Sequence, residues 1–298
     1  YIQKSQLGGG SPIIRGFSTN RLLIAVDGIR FNTAIFRGGN VQSVISIDPF
    51  TVDRTEVILG PGSVVYGSDA IGGVMNFFTK NAKFSFEEGT SFSGNATVRY
   101  ATASEEKTGH LDFNIGLKEW AFLTSVSYTD FGDLRMGKYG PDDYLRPEYV
   151  ETINGEDVIV TNEDPRLQVP TGYDQINAMQ KIRFMPSDNW DFNLGLFYTT
   201  TSDYPRYDRL IIKKNGQLKS AVWDYTPQEW INGNLRITNK GTAFYDKSIL
   251  TLSYQNFKEG RKDRNFGDDI LYETNEKVDA YTSALDFIKK FGKSKLFY

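Results

Sequence analysis

The sequence predicts a transmembrane β-barrel whose lumen holds a small mixed α/β domain, here called the plug. Three observations predict this fold. Short apolar strands lie between glycine turns at the N-terminus, and the strands after them alternate apolar and polar side chains. The connections between these later strands alternate between short turns and long loops. The pattern changes near residue 82. We therefore expect the plug over residues 1–82 and the first part of the barrel over residues 83–298.

Composition narrows the classes of function. The 298 residues include 34 basic and 37 acidic side chains, a net charge of −3 that argues against nucleic-acid binding. The chain has no cysteine, which excludes disulfides and thiolate metal sites. Its one histidine, His110, belongs to no HExxH or Ser-His-Asp signature. We expect no enzyme activity, no metal site and no cofactor.

The plug consists of short apolar runs closed by turn signals such as Asp27-Gly28. The glycine-rich stretch after residue 59 has neither the Gly-Lys-Ser/Thr sequence nor the long helix of a phosphate-binding loop. Its glycines are expected to allow positive φ and close packing where the chain turns. The predicted elements are strands Leu22–Val26, Thr55–Leu59 and Val74–Thr79, with helical turns near Ser63–Tyr66 and Asp69–Ile71.

From about residue 91 the side chains alternate with period two. Trp190, Phe192 and Leu194, for example, alternate with Asp191 and Asn193. Each segment is about 10 residues long, the length of a tilted strand that crosses hydrocarbon. The predicted strands are about residues 91–103, 108–118, 120–130, 174–185, 189–201, 229–238, 247–258 and 277–289, and a ninth begins near Ser294.

The connections between these strands distinguish a membrane barrel from a soluble sandwich. Short turns on one side and long loops on the other are typical of outer-membrane barrels, whereas a sandwich gives no reason for such sorting. The tight connections are residues 118–120, 186–189 and 290–293, and the long ones are residues 130–173, 202–228 and 259–276. Two connections, 104–107 and 239–246, do not follow this alternation of short and long.

Aromatic residues near the strand ends fit an interfacial girdle, although β-sheets are rich in aromatic residues in general. A barrel of eight strands is filled by its own side chains and leaves no room for the plug, and plugged lumens belong to the 22-stranded class. We expect a barrel that has 22 strands when complete, of which about 8–9 are present here. The girdle candidates are Tyr100, Trp120, Tyr128, Trp190, Tyr198, Trp230 and Tyr254.

The plug resembles that of TonB-dependent outer-membrane receptors. The stretches that carry the resemblance, in order and spacing over about 70 residues, are 12–17 (PIIRGF), 21–30 (RLLIAVDGIR) and 56–80 (EVILGPGSVVYGSDAIGGVMNFFTK). The resemblance implies a bacterial outer-membrane location, a small-molecule nutrient ligand and energy from the TonB complex. The residues that match the plug pattern, with structural roles, are Arg15, Gly16, Asp27, Gly28, Glu56, Gly60, Pro61, Tyr66, Gly67, Gly72 and Gly73. Arg15 and Asp27 lie in or beside predicted buried strands, so we expect them to be paired within the plug and not to contact ligand. Leu59 stands where the family usually has arginine, and Arg54 is a candidate to replace it.

Ligand-binding candidates come from loops that face outward if the resemblance holds. Aromatic and basic side chains together suit an anionic aromatic ligand such as a ferric catecholate, although outward loops are often simply polar and rich in tyrosine. The candidates are Phe36, Arg37 and Asn40 in the plug, Tyr139, Tyr144 and Arg146 in loop 130–173, and Tyr204, Arg206 and Tyr207 in loop 202–228.

Active uptake of a scarce nutrient is therefore the expected function, with an iron complex of a siderophore or haem as the expected ligand. One alternative is a barrel subunit or docking protein of a larger envelope complex, with other envelope proteins as partners. Another is a soluble β-rich binding or hydrolytic domain. Outer-membrane lipid is the expected partner of the barrel's apolar face.

Overall fold

The computed structural model describes most of the chain. The described residues are 2–3, 7–17, 21–31, 35, 44–60, 62, 66–85, 89–241, 243–292 and 294–297.

The plug is built on a four-stranded mixed sheet with spatial order β4-β3-β6-β5. Strands β3 and β6 are parallel, and β4 and β5 pair antiparallel at the two edges. Apolar β3 is buried along its whole length, as its five consecutive aliphatic residues predict. The elements are β1 (Ile2–Gln3), β2 (Ser11–Pro12), β3 (Leu22–Val26), β4 (Ile29–Arg30), β5 (Val52–Ile58) and β6 (Gly73–Thr79), with 3-10 helices at Val44–Ser46, Pro49–Thr51 and Ser68–Ala70.

Nine strands after the plug, together with the two short strands β16 (Tyr204–Pro205) and β19 (Ser220–Tyr225), form one 11-stranded antiparallel sheet. The nine strands are β7 (Ser91–Ala101), β8 (Glu106–Gly116), β9 (Trp120–Phe131), β14 (Tyr173–Ser187), β15 (Trp190–Thr201), β20 (Glu229–Lys240), β21 (Lys247–Asn265), β22 (Tyr272–Phe291) and β23 (Ser294–Phe297), and each pairs with the next. Every predicted strand is present in this order. The sheet is the wall of an open part of a barrel.

The connections on one side of the wall carry small elements of their own. These are β10 (Leu134–Arg135), β11 (Glu148–Ile153), β12 (Glu156–Thr161), β13 (Leu167–Gln168), β16 (Tyr204–Pro205), β17 (Lys213–Lys214), β18 (Gln217–Leu218) and β19 (Ser220–Tyr225), a 3-10 helix at Asp142–Tyr144 and a short α-helix at Tyr207–Leu210. We call this side the loop end. Among the described residues no helix has the length and apolar character needed to cross a membrane.

One connection differs from its prediction. Residues 259–276 are expected to form a long loop, but β21 continues to Asn265 and β22 begins at Tyr272. The reason is that β19 and β16 join the sheet beside the upper part of β21, so this part of β21 has hydrogen-bonding partners on both sides.

The two faces of the wall carry different side chains. Residues directly opposite on neighbouring strands lie on the same face, and Leu196, Gly233, Tyr254 and Tyr281 form one such row on the outer face. The inner face carries buried polar side chains such as Asn232. The alternation in the sequence therefore separates an outer apolar face from an inner polar face.

The main core lies between the plug and the inner face of the wall. Phe31 of the plug packs edge-on against the rings of Trp230 and Phe257, at centroid distances of 4.9 and 5.5 Å. The girdle prediction is therefore wrong for Trp230, which is 3% exposed. The buried members of this core are Ile24, Val26, Phe31, Ile35 and Ile47 with Ala82, Ala121, Leu123, Met179, Phe197, Trp230 and Phe257.

The end of the wall opposite the loop end carries an aromatic group on its outer face. Trp120 and Trp190 are 41% and 43% exposed there. Trp120 stacks on Phe184 at 4.2 Å, and Trp190 stacks on Phe192 at 5.7 Å. This position is the one expected for an interfacial girdle.

Candidate functional site

A buried ion pair joins the plug to the wall. Asp27 lies in the turn after β3 with a φ of 53°. Its carboxylate accepts hydrogen bonds from the Thr79 backbone N–H at 2.8 Å, the Thr79 hydroxyl at 2.7 Å and the Lys181 ammonium on β14 at 3.0 Å. Asp27 is paired as expected for a buried charge, but its cation comes from the wall.

A second polar chain crosses the same interface. The Ser127 hydroxyl donates to Asp48 of the plug at 2.7 Å and lies 2.7 Å from Nδ1 of His110. His110 Nε2 lies 3.0 Å from Asp112, which also accepts from Lys80 at 2.9 Å. This contact among Ser127, His110 and Asp112 was not predicted from the sequence, because it arises from the register between neighbouring strands. Ser127 is 1% exposed and bonded to Asp48, so the chain of bonds fastens the plug to the wall.

The residues that match the plug pattern lie at turns and close contacts. A Cβ on Gly72 would meet the Phe17 side chain and lie 2.8 Å from the Arg21 carbonyl oxygen, and Gly73 has a φ of 148°. Arg15 was expected in or beside a buried strand, but it lies exposed in the turn between Ile14 and Phe17.

The remaining structural candidates have these places. Glu56 accepts a hydrogen bond from Arg54 at 3.0 Å, and Tyr66 packs near Leu23, Ala70 and Val74. Pro61 lies outside the described residues. The glycines with positive φ are Gly16, Gly28, Gly60 and Gly67. Arg54 lies 4.0 Å over the Phe78 ring, so its contacts are within the plug.

The loop end contains a buried aromatic cluster that the sequence did not predict as a core. Tyr173, Tyr204 and Tyr225 form it, with Leu7 of the plug packed against them. A Cβ on Gly8 would lie 2.6 Å from the Tyr204 ring, so this ring and the plug backbone are in close contact. Tyr204 is fully buried, and its role as a ligand contact stays a prediction.

Arg146 and Arg206 each lie against aromatic rings at the loop end. The Arg146 guanidinium is 5.6 Å from the centroid of Tyr207, and its Nε donates to the Val169 carbonyl at 3.2 Å. Arg206 lies 5.0 Å over Trp223. The structure thus brings Arg146 to Tyr207 and places Arg206 beside a ring that the sequence did not single out.

Arg146 differs from Arg206 in its charge balance. Arg206 is paired with Asp208 at 2.9 Å. Arg146 is 4% exposed, and no carboxylate of the described part of the chain forms an ion pair with it. Burial lowers the pKa of Arg146, and burial also raises the pKa of Tyr207. Glu148 acts on the charge of Arg146 from beyond ion-pair distance, but it is itself bonded to Lys213 at 2.7 Å. A buried arginine without a direct carboxylate contact favours an anion as neighbour.

The other predicted ligand residues lie apart from these pairs. Tyr139 is 93% exposed and Tyr144 is 61% exposed in loop 132–172. Phe36, Arg37 and Asn40 lie outside the described residues.

An open cavity lies between the plug and the loop end of the wall. Its volume is 610 Å³, within the range of about 300–1,000 Å³ that is common for small-molecule sites. Its lining includes Leu7, Ile47 and Phe50 of the plug and Arg99, Glu106 and Tyr173 of the wall. Since Leu7 and Tyr173 also belong to the aromatic cluster, the cavity lies directly beside it.

The pKa values of two carboxylates at the loop end are shifted in opposite directions. Burial raises the pKa of Asp224 to about 6, although Lys262 at 3.9 Å partly opposes this. Hydrogen bonds from Arg264, at 2.7 Å, hold the pKa of Asp157 at about 2. Lys262 also contacts Asp203. These residues were not predicted, because β19 and hairpin β11–β12 meet β21 only in the fold.

Comparison with protein families identifies the N-terminal part of the chain. Residues 2–74 match the family model described as TonB-dependent Receptor Plug Domain. A vitamin B12 transporter, BtuB of Vibrio vulnificus (strain CMCP6), is 44% identical over 88 residues, which cover 28% of this chain and 14% of that protein. A hemin receptor of Yersinia enterocolitica is 25% identical over 283 residues, which cover 94% of this chain and 37% of that protein.

Solved structures extend the likeness of fold to the whole chain. The copper transporter OprC superposes with a TM-score of 0.75 at 14% identity, covering 100% of this chain and 40% of that one. The FrpB iron transporter of Neisseria meningitidis (F5-1 variant) superposes with a TM-score of 0.67 at 16% identity, covering 96% of this chain and 42% of that one. The chain thus spans at most about two fifths of these relatives.

Proposed function

Because the chain belongs to the TonB-dependent receptors, proteins of the bacterial outer membrane, we propose that it takes up an iron complex, a siderophore or haem. In this proposal residues 1–82 are the plug and residues 83–298 begin the barrel. The receptor is a transporter and not an enzyme.

The observation that carries the proposal is the buried Arg146 at the loop end. It has an aromatic neighbour, Tyr207, and no carboxylate partner among the described residues. An anionic group of an aromatic ligand would supply the missing charge and could stack on the nearby rings. The 610 Å³ cavity is not lined by Arg146 or Tyr207, but it lies beside the aromatic cluster and offers space for a ligand next to the plug. The hemin receptor that aligns with 94% of the chain supports iron as the cargo.

Uptake would use the plug contacts described above. A ligand that touches both the loop end and the plug can shift the plug only by binding its shifted position more tightly. The Asp27–Lys181 ion pair and the Ser127–Asp48 bond hold the plug against the wall. Work from the TonB complex would then break such contacts and open a path.

The test is ligand binding by the full receptor that carries this chain. Tryptophan fluorescence is titrated with ferric enterobactin, hemin and cyanocobalamin. We expect one of the two iron complexes to bind, and Arg146→Gln to weaken it about 10–100-fold, the cost of losing one charge-assisted contact. Arg135→Gln is the matched control, because Arg135 lies in the same loop but is paired with Asp164.

Two results would contradict the proposal. Binding of cyanocobalamin alone would replace iron by a cobalamin cargo. No binding of any probe, together with co-purification of an envelope protein, would favour the docking-subunit alternative. Growth of a deletion strain on each iron source gives an independent check of transport.

A further inference from the structure

The polar contacts that cross from the plug to the wall have a histidine at their centre. We call Asp48, Ser127, His110 and Asp112, in this order, the histidine chain. The Ser127 oxygen lies 2.7 Å from Oδ2 of Asp48 and 2.7 Å from Nδ1 of His110, and His110 Nε2 lies 3.0 Å from Oδ2 of Asp112. All four residues are buried. The hydrogens for these contacts must therefore come from the side chains themselves.

The first half of the chain requires a hydrogen on Nδ1 of His110. A hydroxyl group has one hydrogen, and a carboxylate only accepts. Both oxygens of Asp48 accept, Oδ1 from the Phe50 backbone N–H at 2.9 Å and Oδ2 from the Ser127 hydroxyl. Because Ser127 gives its one hydrogen to Asp48, the short contact between Ser127 and His110 needs a hydrogen from the ring.

The second half of the chain requires a hydrogen on Nε2 as well. This nitrogen faces Oδ2 of Asp112, which also accepts from the Lys80 ammonium at 2.9 Å, while Oδ1 of Asp112 accepts from the Asn95 amide at 3.0 Å. A carboxylate that accepts at both oxygens has no hydrogen to return. Both ring nitrogens of a histidine donate only in the imidazolium form. A neutral ring would place two lone pairs in contact at one end of the chain.

The charges at this part of the interface also balance only with a charged ring. Asp48 and Asp112 are two carboxylates, and Lys80 supplies one cation to them. A neutral His110 would leave one negative charge without a counter-charge in a buried interface, which is unfavourable. The imidazolium form makes this group of side chains neutral as a whole.

The other neighbours of His110 are compatible with a cation. The Phe50 ring stacks on the imidazole with centroids 4.5 Å apart, and the face of an aromatic ring attracts positive charge. On the neighbouring strands, Arg99 of β7 and Glu106 of β8 pair with each other at 2.7 Å. The inward side chains of β9 beside the histidine are hydroxyls, such as that of Thr129.

We propose that the histidine chain holds His110 as an imidazolium and that this residue acts as a proton-dependent latch between the plug and the wall. The ring carries the extra proton because imidazole is a stronger base than a carboxylate. After its loss, the single hydrogen of Ser127 cannot serve both Asp48 and the bare Nδ1. The plug is therefore held most firmly while the proton is bound, and its attachment weakens as pH rises. The latch acts whatever the cargo is, so its test does not depend on the proposed ligand.

The protonation of the ring can be measured directly. Solid-state NMR of the full receptor, labelled with ¹⁵N-histidine, distinguishes a protonated ring nitrogen from a bare one. The signals of His110 are assigned by transfer to labelled phenylalanine, because the Phe50 ring stacks on the imidazole. We expect both ring nitrogens to be protonated at neutral pH. One bare nitrogen under these conditions would overturn the proposal.

Asp48→Asn separates the latch from a merely structural contact. The asparagine oxygen can still accept from the Phe50 N–H, and its amide can donate to Ser127, whose hydrogen is then free for Nδ1. We expect His110 to become neutral in this variant, with one bare nitrogen. Asp53→Asn is the matched control, because Asp53 is a plug carboxylate outside the chain with a side chain 61% exposed. A charged ring in Asp48→Asn, or a neutral ring in Asp53→Asn, would overturn the assignment of the hydrogens.

Hydrogen exchange of residues 44–51, corrected for its intrinsic rate, measures how firmly the plug segment is held. From about pH 7 to about pH 9 the protection of the wild type should fall about 10–100-fold, the effect of losing one charge-assisted hydrogen bond. Asp53→Asn should follow the wild type. Asp48→Asn should keep constant protection, because its neutral ring has no proton to lose over this range. Constant protection in the wild type, or an equal fall in Asp48→Asn, would overturn the latch.

Discussion

The inner and outer faces of the wall show opposite rules of burial. On the inner face, Lys181 is 3% exposed and Asn232 is 1% exposed. On the outer face, Leu196 and Leu252 are 45% and 41% exposed. A water-soluble sheet would bury the leucines and expose the lysine. The comparison shows that the plug is the partner of the polar face and that the apolar face suits lipid.

The bonds that cross to the plug explain why the inner face can be polar. Gln175 donates to the Ile45 carbonyl at 2.7 Å, and Gln255 donates to the Arg30 carbonyl at 3.0 Å. Thr199 donates to the Ser46 carbonyl at 3.0 Å. Buried polar groups need such partners, so the plug supplies acceptors for these three side chains of the inner face.

The largest expected effect comes from breaking the buried pair on the inner face. Lys181→Met leaves the Asp27 carboxylate, which is 16% exposed, without its cation but with its two hydrogen bonds from Thr79. Loss of one partner of a buried pair costs about 3–5 kcal/mol, and the partial exposure of Asp27 places this variant at the lower end of that range. Urea denaturation of the full receptor in micelles measures the free energy of unfolding. Adding Asp27→Asn should recover part of the loss, because no unpaired charge remains.

Lys107→Met is the control for this prediction. Lys107 lies 3.5 Å from Asp130 in an exposed pair, which is worth about 0–1 kcal/mol. An equal loss in the two lysine variants would contradict the difference between the faces.

A somewhat smaller effect is expected from a charge on the outer face. Leu252→Lys places an ammonium in the apolar band, where the cost at the membrane midplane is about 2–4 kcal/mol. Thr200 lies opposite Glu229 on the outer face near the loop end. Thr200→Lys therefore places its ammonium near the interface, where the cost is about 0–1 kcal/mol. The measurement is the free energy of unfolding in lipid vesicles. If Thr200→Lys were the more costly variant, the band would be placed wrongly.

The smallest expected effect is a pH dependence of local stability at the loop end, above the two faces of the wall. The pKa of Asp224 is raised from 3.8 to about 6, so the fold binds the proton more tightly than the unfolded chain. This stabilisation, at most about 3 kcal/mol, is complete below pH 4 and is lost as pH rises through 6. Hydrogen exchange of residues 220–225, corrected for its intrinsic rate, should show less protection at pH 7.5 than at pH 5.

Asp157, at the same loop end, gives the opposite pH dependence of stability. Its pKa is lowered to about 2, so its stabilisation is present above pH 4 and is lost as pH falls through 2. Hairpin β11–β12 should therefore lose protection only in strong acid. Asp224→Asn should remove the pH dependence of residues 220–225 and leave that of the hairpin unchanged. Retention of the dependence in Asp224→Asn would assign it to another group.

The wall strands could be predicted from the sequence because one face carries polar side chains towards the plug and the other carries apolar side chains suited to lipid. Alternation at Trp190–Leu194 and its neighbours locates each wall strand, and the plug strands follow from apolar runs between turns. Alternation could not locate Trp230, since Trp230 and Ile231 are both apolar and only the fold shows which one faces Phe31. The extension of β21 was missed because its polar residues above the band resemble a loop.

The candidate site was less predictable, because its contacts join distant parts of the chain. Asp27 was predicted to be paired, yet its partner Lys181 lies 154 residues away. Tyr204 was chosen for its residue type, and its burial depends on Gly8 and on two other tyrosines. The identity of the cargo stays a prediction, because ligand preference depends on how the loops are placed together.

The central claim, a plug-covered inner face and a lipid-covered outer face, is tested most directly by spin labels along β21. The chain has no cysteine, so single cysteines at 250, 252 and 254 label the outer face and those at 251, 253 and 255 label the inner face. In lipid vesicles, the outer labels should be accessible to oxygen and shielded from a water-soluble nickel reagent, and the inner labels should be shielded from both. Inner labels open to the nickel reagent, or no alternation along the strand, would contradict the account.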